Sequence, residues 1–376
     1  MSEPIRVLQV VGRMHRGGLE TFIMNVYRNI DRSRLQFDFL VHYNLRGDYD
    51  DEIESLGGRI YRLPVMENKR FFSYLRQLSK FFSEHTDYKI IHLHWTALSR
   101  FLIPRAKKNG VTTVIAHSHN TQSGRGLKGR IIDFLQRPIQ KQATHYFACS
   151  KAAAGWFYDE ESIRSGQVKI IPNAIDTAKF AFSPEKRLKM RIKMGAGNQF
   201  VILHVGRFSQ AKNHSFLLDI FAELRQKDQS AELWLIGQGE DFETIQKKAD
   251  AMGLAAFVKF LGTQADIASF MQAADVFLFP SLFEGLAVVT VEAQASGLPV
   301  VTSTAVSPET NLTGQVDFLS LSAPASEWAA HVLALKTRPR VDLSGAVREH
   351  NYDIKGLARD LQGFYLREAG CNPPQP

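Results

Sequence analysis

Short apolar runs the length of β-strands alternate with helical patterns along this chain, and the alternation starts again after its midpoint. Each run is far shorter than the thickness of a bilayer, so none predicts a transmembrane segment. Strands that alternate with helices in this way pair in parallel and are covered by those helices. The sequence therefore predicts the α/β class with two parallel sheets. The runs lie at 5–11, 37–42, 90–94, 112–116 and 145–149 in the first array, and at 200–205, 232–236, 258–261 and 276–279 in the second.

A polar, lysine-rich stretch separates the two arrays. It ends at Gly197, and we place a hinge at about 175–198. A chain of 376 residues is also more typical of two domains than of one. We therefore predict an N-terminal Rossmann-like domain over 1–175 and a C-terminal Rossmann-like domain over 199–350.

Two glutamates, Glu284 and Glu292, stand eight positions apart around a predicted strand-to-helix turn. Pro280 ends the strand, and the helix should begin near 285–286 and stop at Gly297, where glycine suits a left-handed cap. Free N–H groups in a first helical turn attract phosphate. Two acids that flank an anion site suit a ligand that is part phosphate and part polyol, which describes a nucleotide-sugar. The alternative is an ordinary crossover with one surface glutamate and one partly buried glutamate.

A basic loop follows the first strand of the second array. Its sequence, Val205-Gly-Arg-Phe-Ser-Gln-Ala-Lys-Asn-His214, places Arg207 and Lys212 just beyond the strand. A diphosphate leaving group gains negative charge as a glycosidic bond breaks, and fixed cations beside it stabilise the transition state more than the ground state. Arg207 and Lys212 fit this role and would do the work of a divalent metal. The alternative is a pair of solvated surface residues.

The acid pair and the basic loop resemble the E-x7-E signature and the strand-end G-R-x4-K-N element of retaining glycosyltransferases of family 4. The resemblance implies the GT-B fold, in which two Rossmann-like domains face a central cleft. In that family a last helix, here at 351–371, crosses back to the N-terminal domain. The resemblance also implies a metal-independent hexosyltransferase that retains the anomeric configuration. The catalytic residues that it implies are His117, Glu284, Arg207 and Lys212.

The opening segment 10–22 and the run His117-Ser-His-Asn120 look most like the capsule and exopolysaccharide branch of the family. This implies a bacterial enzyme that moves a hexose-type sugar from a UDP-sugar to a lipid-linked or polysaccharide acceptor, in capsule, exopolysaccharide or lipopolysaccharide synthesis. Two alternatives stay open, a GT-B enzyme with a small soluble acceptor and a non-transferring epimerase. A third, a catalytically silent subunit, would lack one of the motif residues, and none is lost.

Paired glycines, Gly17 and Gly18, stand at the first strand-to-helix junction, where the missing Cβ lets a phosphate approach the backbone. A tight turn needed only for packing is the alternative. The glycine spacing is not G-x-G-x-x-G, and Phe242 stands where Gly237-Gln-Gly239 would need a third glycine, which disfavours a dinucleotide oxidoreductase. The donor site that the resemblance implies consists of Gly17, Gly18, Arg207, Lys212, Gly237, Thr263, Gln264, Glu284, Gly285, Leu286, Ala287, Val288 and Glu292.

Four histidines occur as two His-x-His pairs in neighbouring strand-like runs. The resemblance places His117 nearest the transferred sugar. We expect His119 to point away from His117 along an extended strand, and no carboxylates accompany them, so neither a metal nor another cofactor is predicted. His92 and His94 are expected to be structural or to support the site from behind. The acceptor site that the resemblance implies consists of His117, His119, Asn120 and Arg125.

Charge is distributed unevenly along the chain. Residues 1–200 contain 32 Lys/Arg and 18 Asp/Glu, whereas residues 201–376 contain 14 and 20. A basic half favours an anionic partner such as a membrane surface or a pyrophosphate-linked acceptor, and no nucleic-acid-binding motif is present. Two basic, amphipathic segments at 69–82 and 124–135 are candidates for membrane contact, although packing on its own sheet would also explain the first. With no signal peptide, we predict a cytoplasmic enzyme that is peripheral on the inner face of the cell membrane if these segments bind lipid.

Overall fold

The computed structural model describes residues 3–64, 71–94, 98–119, 139–284 and 286–371. The chain forms two compact units, one of Met1–Ala174 with Ile354–Pro376 and the other of Ile175–Asp353. The segment that the sequence places between the domains belongs to the second unit, and the last helix belongs to the first.

The first unit is built on a seven-stranded sheet in which neighbouring strands are parallel. Its strands are β1 (Ile5–Val10), β2 (Leu35–Val41), β3 (Ile60–Arg62), β4 (Ile90–Leu93), β5 (Thr113–Ser118), β6 (His145–Ala148) and β7 (Val168–Ile170). Their order is β3-β2-β1-β4-β5-β6-β7. Strand β2 is buried along its whole length, as expected where helices cover both faces of a parallel sheet.

Helices alternate with the strands of the first unit, and most of them bury apolar side chains. They are α1 (Gly18–Asn29), α2 (Asp50–Ser55), α3 (Phe71–Glu84), α4 (Ser99–Lys108), α5 (Ile139–Gln142), α6 (Lys151–Phe157), α7 (Glu160–Arg164) and, from the C-terminus, the last helix (Ile354–Glu368). Helix α3 buries Tyr74, Leu78 and Phe82, which share one face at intervals of four residues. Its Phe72 is 85% exposed. The apolar face of α3 is therefore used mainly for packing within the unit. Residues 69–70, the start of the predicted amphipathic segment, lie outside the described residues.

The last helix packs against the first helix of the chain. Leu357 and Leu361 join the buried cluster under α1, and Tyr365 meets Phe37 edge to face with ring centroids 5.7 Å apart. Tyr365 is 1% exposed, so its hydroxyl lies inside the unit. This packing places a C-terminal side chain beside the central strands of the first sheet.

The second unit repeats the design with a six-stranded parallel sheet. Its strands are β8 (Phe200–Val205), β9 (Ala231–Ile236), β10 (Val258–Phe260), β11 (Val276–Phe279), β12 (Val300–Ser303) and β13 (Val316–Leu319). Their order is β10-β9-β8-β11-β12-β13. Together the two parallel sheets confirm the predicted α/β class.

Several helices of the second unit begin or end at residues that cap a helix terminus. The helices of this unit are α8 (Thr177–Phe180), α9 (Pro184–Met194), α10 (His214–Lys227), α11 (Phe242–Ala251), α12 (Ile267–Ala273), α13 (Val288–Ala295), α14 (Ala325–Ala334) and α15 (Ser344–Glu349). The last helix of the chain, α16 (Ile354–Glu368), belongs to the first unit. Helix α9 is capped by the Ser183 hydroxyl and ends at Gly195 with φ of 65°. Its Arg187 and Arg191 pair with Asp275 at the start of β11, which fixes α9 on the second sheet. Among the described residues, no helix is long and apolar enough to cross a bilayer.

Candidate active site

Loops from three neighbouring strands meet at the carboxyl edge of the second sheet, where open α/β sheets bind ligands. The Gly206 N–H donates to Ile236 O at 3.0 Å, and the Leu282 N–H donates to Ala211 O at 2.8 Å. Gly237 adopts a φ of 145°, and a Cβ there would lie 2.0 Å from the Gly206 carbonyl oxygen. Only glycine permits this approach, so Gly237 holds the basic loop in place.

Lys212 and Glu284 form an ion pair at this edge. Lys212 ends a 3-10 turn after β8, and its side chain is 18% exposed, while that of Glu284 is 21% exposed. The Lys212 ammonium also lies 4.7 Å from the centre of the Phe279 ring, which favours a cation over the ring face. The structure therefore brings the cation of the basic loop and the first acid of the pair into direct contact.

Arg207 lies on the same loop but is turned towards solvent. Its Nε is 3.0 Å from Oε2 of Glu240, and the two side chains are 73% and 57% exposed. Exposed ion pairs of this kind contribute little to stability, so the guanidinium can change partner at small cost. Arg207 is therefore available to an incoming anion.

The helix that carries Glu292 begins later than the sequence predicts. Glu284 forms a parallel bridge with Val306, and Ala287 is the extended N-cap of α13, which starts at Val288. Leu286 lies in a bend before this N-cap, so the N–H groups of the first helical turn begin at Val288. The helix ends near the predicted stop because Gly297, with φ of 59°, leaves no room for a Cβ against Val341 O.

Glu292 is half-buried on α13. Burial raises the pKa of its carboxyl group to about 7, and Lys179 offsets part of that rise. No described group donates a hydrogen bond to this carboxylate. A carboxylate without a partner on the protein is suited to accept hydrogen bonds from ligand hydroxyls.

Other residues of the predicted donor site occupy separate places. Gln264 donates to Leu261 O at 2.5 Å just after β10, and Thr263 beside it is exposed. In the first unit, Gly17 is the N-cap of α1 and faces the Glu20 carboxyl group, whose pKa is raised by burial. Gly18 has open space where a Cβ would stand. Leu286 is half-buried and Ala287 is buried, while Gly285 lies outside the described residues.

In the first unit the four histidines form one cluster. The rings of His117 and His119 lie 3.9 Å apart, centroid to centroid, and those of His92 and His94 lie 4.1 Å apart. The expectation that His119 points away from His117 is wrong, because side chains two residues apart on an extended strand point to the same face. Asn120 and Arg125, with the whole segment 124–135, lie outside the described residues.

Hydrogen bonds join the histidines in pairs across strands β4 and β5. His92 Nε2 is 3.1 Å from His117 Nδ1, and His94 Nδ1 is 2.9 Å from His119 Nε2. Burial holds the pKa of each ring well below its usual range, and for His119 the pKa falls to about 3. The rings are therefore neutral at physiological pH.

The same cluster is the one group in the described part of the chain whose side chains could together hold a metal ion. One ring nitrogen from each of His92, His94 and His117 lies within 4.8 Å of the others. The sequence did not predict that these histidines would lie together, although two His-x-His pairs in neighbouring strand-like runs indicated it. It also missed Glu240, the partner of Arg207, for which the sequence carries no signal.

A groove of about 710 Å³ lies elsewhere in the second unit. It is lined by Leu188 and Ile192 of α9 and by Phe200 and Asp275, which stand at the amino ends of their strands. Because ligands of open α/β sheets bind at the carboxyl ends, this groove is not the candidate active site.

Comparisons with known proteins define the class. Residues 199–338 match the family model described as glycosyl transferases group 1, and residues 17–174 match the glycosyl transferase 4-like domain. The chain is 37% identical over 372 residues to EpsF, a glycosyltransferase-family protein of Bacillus subtilis (strain 168), with 97% of each chain covered. The chain therefore belongs to the group 1 glycosyltransferases, and the resemblance to this family is confirmed.

Two more distant matches agree with this assignment. The chain is 24% identical over 370 residues to the capsular polysaccharide biosynthesis glycosyltransferase CapH of Staphylococcus aureus, covering 96% of this chain and 99% of CapH. The crystal structure of HepE from Anabaena in complex with UDP-glucose superposes with a TM-score of 0.76 at 20% identity, covering 96% of this chain and 99% of that one. The likeness confirms the GT-B fold class.

Proposed function

We propose that this glycosyltransferase moves a hexose-type sugar from a UDP-sugar to a lipid-linked or polysaccharide acceptor, with retention of anomeric configuration and without a divalent metal. The donor class is supported by the UDP-glucose bound to HepE. A role in the synthesis of capsule or another surface polysaccharide is supported by the likeness to CapH, a capsular polysaccharide biosynthesis glycosyltransferase. The small soluble acceptor is the alternative.

The observation that carries the proposal is the contact between Lys212 and Glu284 at the carboxyl edge of the second sheet. An ammonium held there can neutralise a diphosphate leaving group as its charge develops. The neighbouring carboxylate can accept hydrogen bonds from hydroxyls of the transferred sugar. Arg207, exposed on the same loop, supplies a second cation and makes a metal unnecessary for this task.

The second acid has a different part in the proposal. Glu292 lies on α13, four residues past the start of that helix at Val288, and its carboxylate has no hydrogen-bond donor among the described residues. We assign it to the ribose hydroxyls of the nucleotide. Departure of the diphosphate and attack by the acceptor then take place on one face of the sugar, so the configuration is retained without a covalent glycosyl-enzyme.

The binding half of the proposal is tested by thermal shift against a panel of UDP-, GDP- and dTDP-sugars in the presence of EDTA. A ligand that binds the folded protein raises the melting temperature in proportion to RT ln(1 + [L]/Kd). We expect a UDP-sugar to give the largest rise. A GDP-sugar as the best ligand would reject the UDP assignment, and a strict requirement for Mg²⁺ would reject the metal-free mechanism.

The catalytic half is tested with a matched pair of lysine variants. We expect Lys212→Ala to slow transfer by about 10²-fold, the scale for losing one charge-stabilising group in an active site. Lys336 is the control, because its ammonium also pairs with an acid, Asp228, and lies 5.7 Å from the centre of an aromatic ring, that of Phe200. Equal rates in the two variants would refute the assignment, and an inverted product seen by NMR would exclude retention.

A further inference from the structure

Three buried ring nitrogens lie at the two ends of the basic loop in the second unit. They are Nε2 of His204, on β8, and both Nδ1 and Nε2 of His214, the first residue of α10. None of them has a hydrogen-bond partner among the residues that the structure describes. Buried polar atoms without partners are rare in folded proteins, so these nitrogens indicate a group that the two rings are arranged to hold.

The surroundings of His204 would suit an apolar ring as well as an imidazole. The side chain is fully buried, and its ring stacks on Phe277 and Phe279 with centroids 6.3 Å and 5.5 Å away. An imidazole nitrogen costs more free energy to bury there than a phenyl carbon unless it has a hydrogen-bond partner. Packing alone therefore does not explain a histidine at this position.

The neighbouring strand fixes the proton on His204. Its Nδ1 is 2.8 Å from Leu278 O, and a carbonyl oxygen only accepts, so Nδ1 carries a proton. Burial holds the pKa of the ring well below its usual range, so the ring is neutral at physiological pH and has one proton. Nε2 of His204 is therefore a bare acceptor.

This bare nitrogen lies beside the side chain of Lys212. A Cβ on Gly206 would lie 3.1 Å from His204 Nε2 and 3.4 Å from both Cδ and Cε of Lys212, so the imidazole and the lysine stem approach the same point. An ammonium has three N–H donors, and the ion pair with Glu284 uses one of them. The Lys212 ammonium therefore has donors left for an acceptor on the histidine side.

His214 adds a second acceptor next to the first. Its ring meets that of His204 edge to face with centroids 4.6 Å apart, and it stacks on Phe208 at 4.1 Å. Burial and the charge of Lys212 lower the pKa of His214 to about 4, so this ring is also neutral and one of its two nitrogens is bare. Two bare nitrogens and one ammonium thus share a buried region behind the basic loop.

We propose that His204 and His214 are positioning residues that hold the Lys212 ammonium through one bound water. The water accepts from the ammonium and donates to Nε2 of His204 and to the bare nitrogen of His214, which gives it three partners, the usual number for a buried water. An ammonium held in this way stays beside the leaving group while Glu284 binds the sugar. This inference rests on the role that the proposed function gives to Lys212, and it adds how that side chain is held.

The contact is measured without turnover by NMR of the full-length protein labelled with ¹⁵N-histidine. We expect His204 to carry its proton on Nδ1 and its Nε2 signal to show an accepted hydrogen bond. Lys212→Met, which removes the ammonium and keeps the length of the side chain, should shift that signal. The control is Lys336→Met, because Lys336 also has an acid and an aromatic ring as neighbours, and it should leave the signal unchanged. A proton on Nε2 of His204, or an Nε2 signal that ignores Lys212→Met, would overturn the proposal.

Kinetics separate positioning from packing. His204→Phe, which fills the site and removes Nε2, should lower kcat by about tenfold, the scale for one hydrogen bond. The KM for the donor should change little, because the loss is felt as charge develops on the leaving group. His204→Gln, whose amide oxygen can accept in place of Nε2, should recover part of the lost rate.

A double variant tests whether the imidazole acts through the ammonium. In the Lys212→Ala protein, His204→Phe should cause no further loss of rate, since the group that it positions is already gone. Losses that multiply in the double variant, or equal rates for His204→Phe and His204→Gln, would refute the positioning role. A wild-type protein that transfers no sugar would instead refute the proposed function, and the NMR comparison would still decide whether the histidines hold Lys212.

Discussion

Replacing Glu292 with glutamine should stabilise the protein at high pH and not at low pH. The pKa of this carboxyl group is raised to about 7 in the folded protein because burial disfavours its charged form. In the unfolded chain the pKa returns to the ordinary value of 4.5. The folded state therefore holds a proton that the unfolded state releases, and the wild-type protein loses stability as pH rises through this window.

The size of the effect follows from the two pKa values. Full ionisation of Glu292 above pH 7 lowers the free energy of unfolding by at most about 3 kcal/mol, and the half-buried position brings the expected value to roughly 1–3 kcal/mol. Glutamine has nearly the same shape and no charge, so Glu292→Gln removes this penalty. Each kcal/mol should raise the melting temperature by about 2–4 °C.

The assay is thermal unfolding of wild type and variant from pH 4 to 9 at constant ionic strength. We expect the two melting curves to coincide near pH 4 and to separate progressively above pH 5. Glu243→Gln, which alters an exposed acid on α11 of the same unit, is the control and should show no such separation. A variant that is equally stabilised at every pH, or less stable than wild type at pH 8, would refute the argument.

The same change should weaken donor binding, because ribose hydroxyls donate better to a carboxylate than to an amide. Donor affinity of the wild-type protein should then rise with pH through about 7, since binding favours the ionised form of Glu292. A gain in stability with a loss of affinity is the usual pattern for a residue kept for function.

Three further predictions follow from other parts of the molecule. Gly237→Ala should destabilise the second unit by roughly 1–3 kcal/mol, because the new Cβ would meet Gly206 O at a φ of 145°, and chemical denaturation measures the change. Glu284→Gln should lower the rate of transfer and reduce the selectivity for one donor sugar. Unchanged kinetics across a panel of donor epimers would contradict the proposed contact of Glu284 with sugar hydroxyls. Changing Arg125, Lys128 and Arg130 to glutamate should abolish binding to anionic vesicles and spare donor hydrolysis, because each Lys or Arg near a membrane surface contributes about 1 kcal/mol. Vesicle binding by the wild-type protein that does not depend on salt or on lipid charge would instead favour a small soluble acceptor.

The two units and the location of the donor motifs could be predicted because both depend on local patterns. Apolar runs of strand length between helical patterns require parallel sheets, and the loops after such strands share an edge. Glu284, Glu292 and Lys212 were found as candidates from their place around predicted strand-to-helix turns and from the resemblance of those segments to family motifs. The start of α13 was misplaced, and the bridge between Glu284 and Val306 was not predicted, because it joins two loops that only the fold brings together.

By itself, then, the sequence determined the α/β class, the presence of two parallel sheets and the family. The class and the sheets follow from hydrophobic periodicity, and the family follows from short motifs. Tertiary structure alone decided which side chains meet. The contact of Lys212 with Glu284 joins residues 72 positions apart, and that of His92 with Tyr365 joins residues 273 positions apart. Such contacts depend on the order of parallel strands and on where the last helix packs, and no local pattern records either. The pKa of Glu292 belongs to the same category, because desolvation is a property of the packed surroundings and not of the residue.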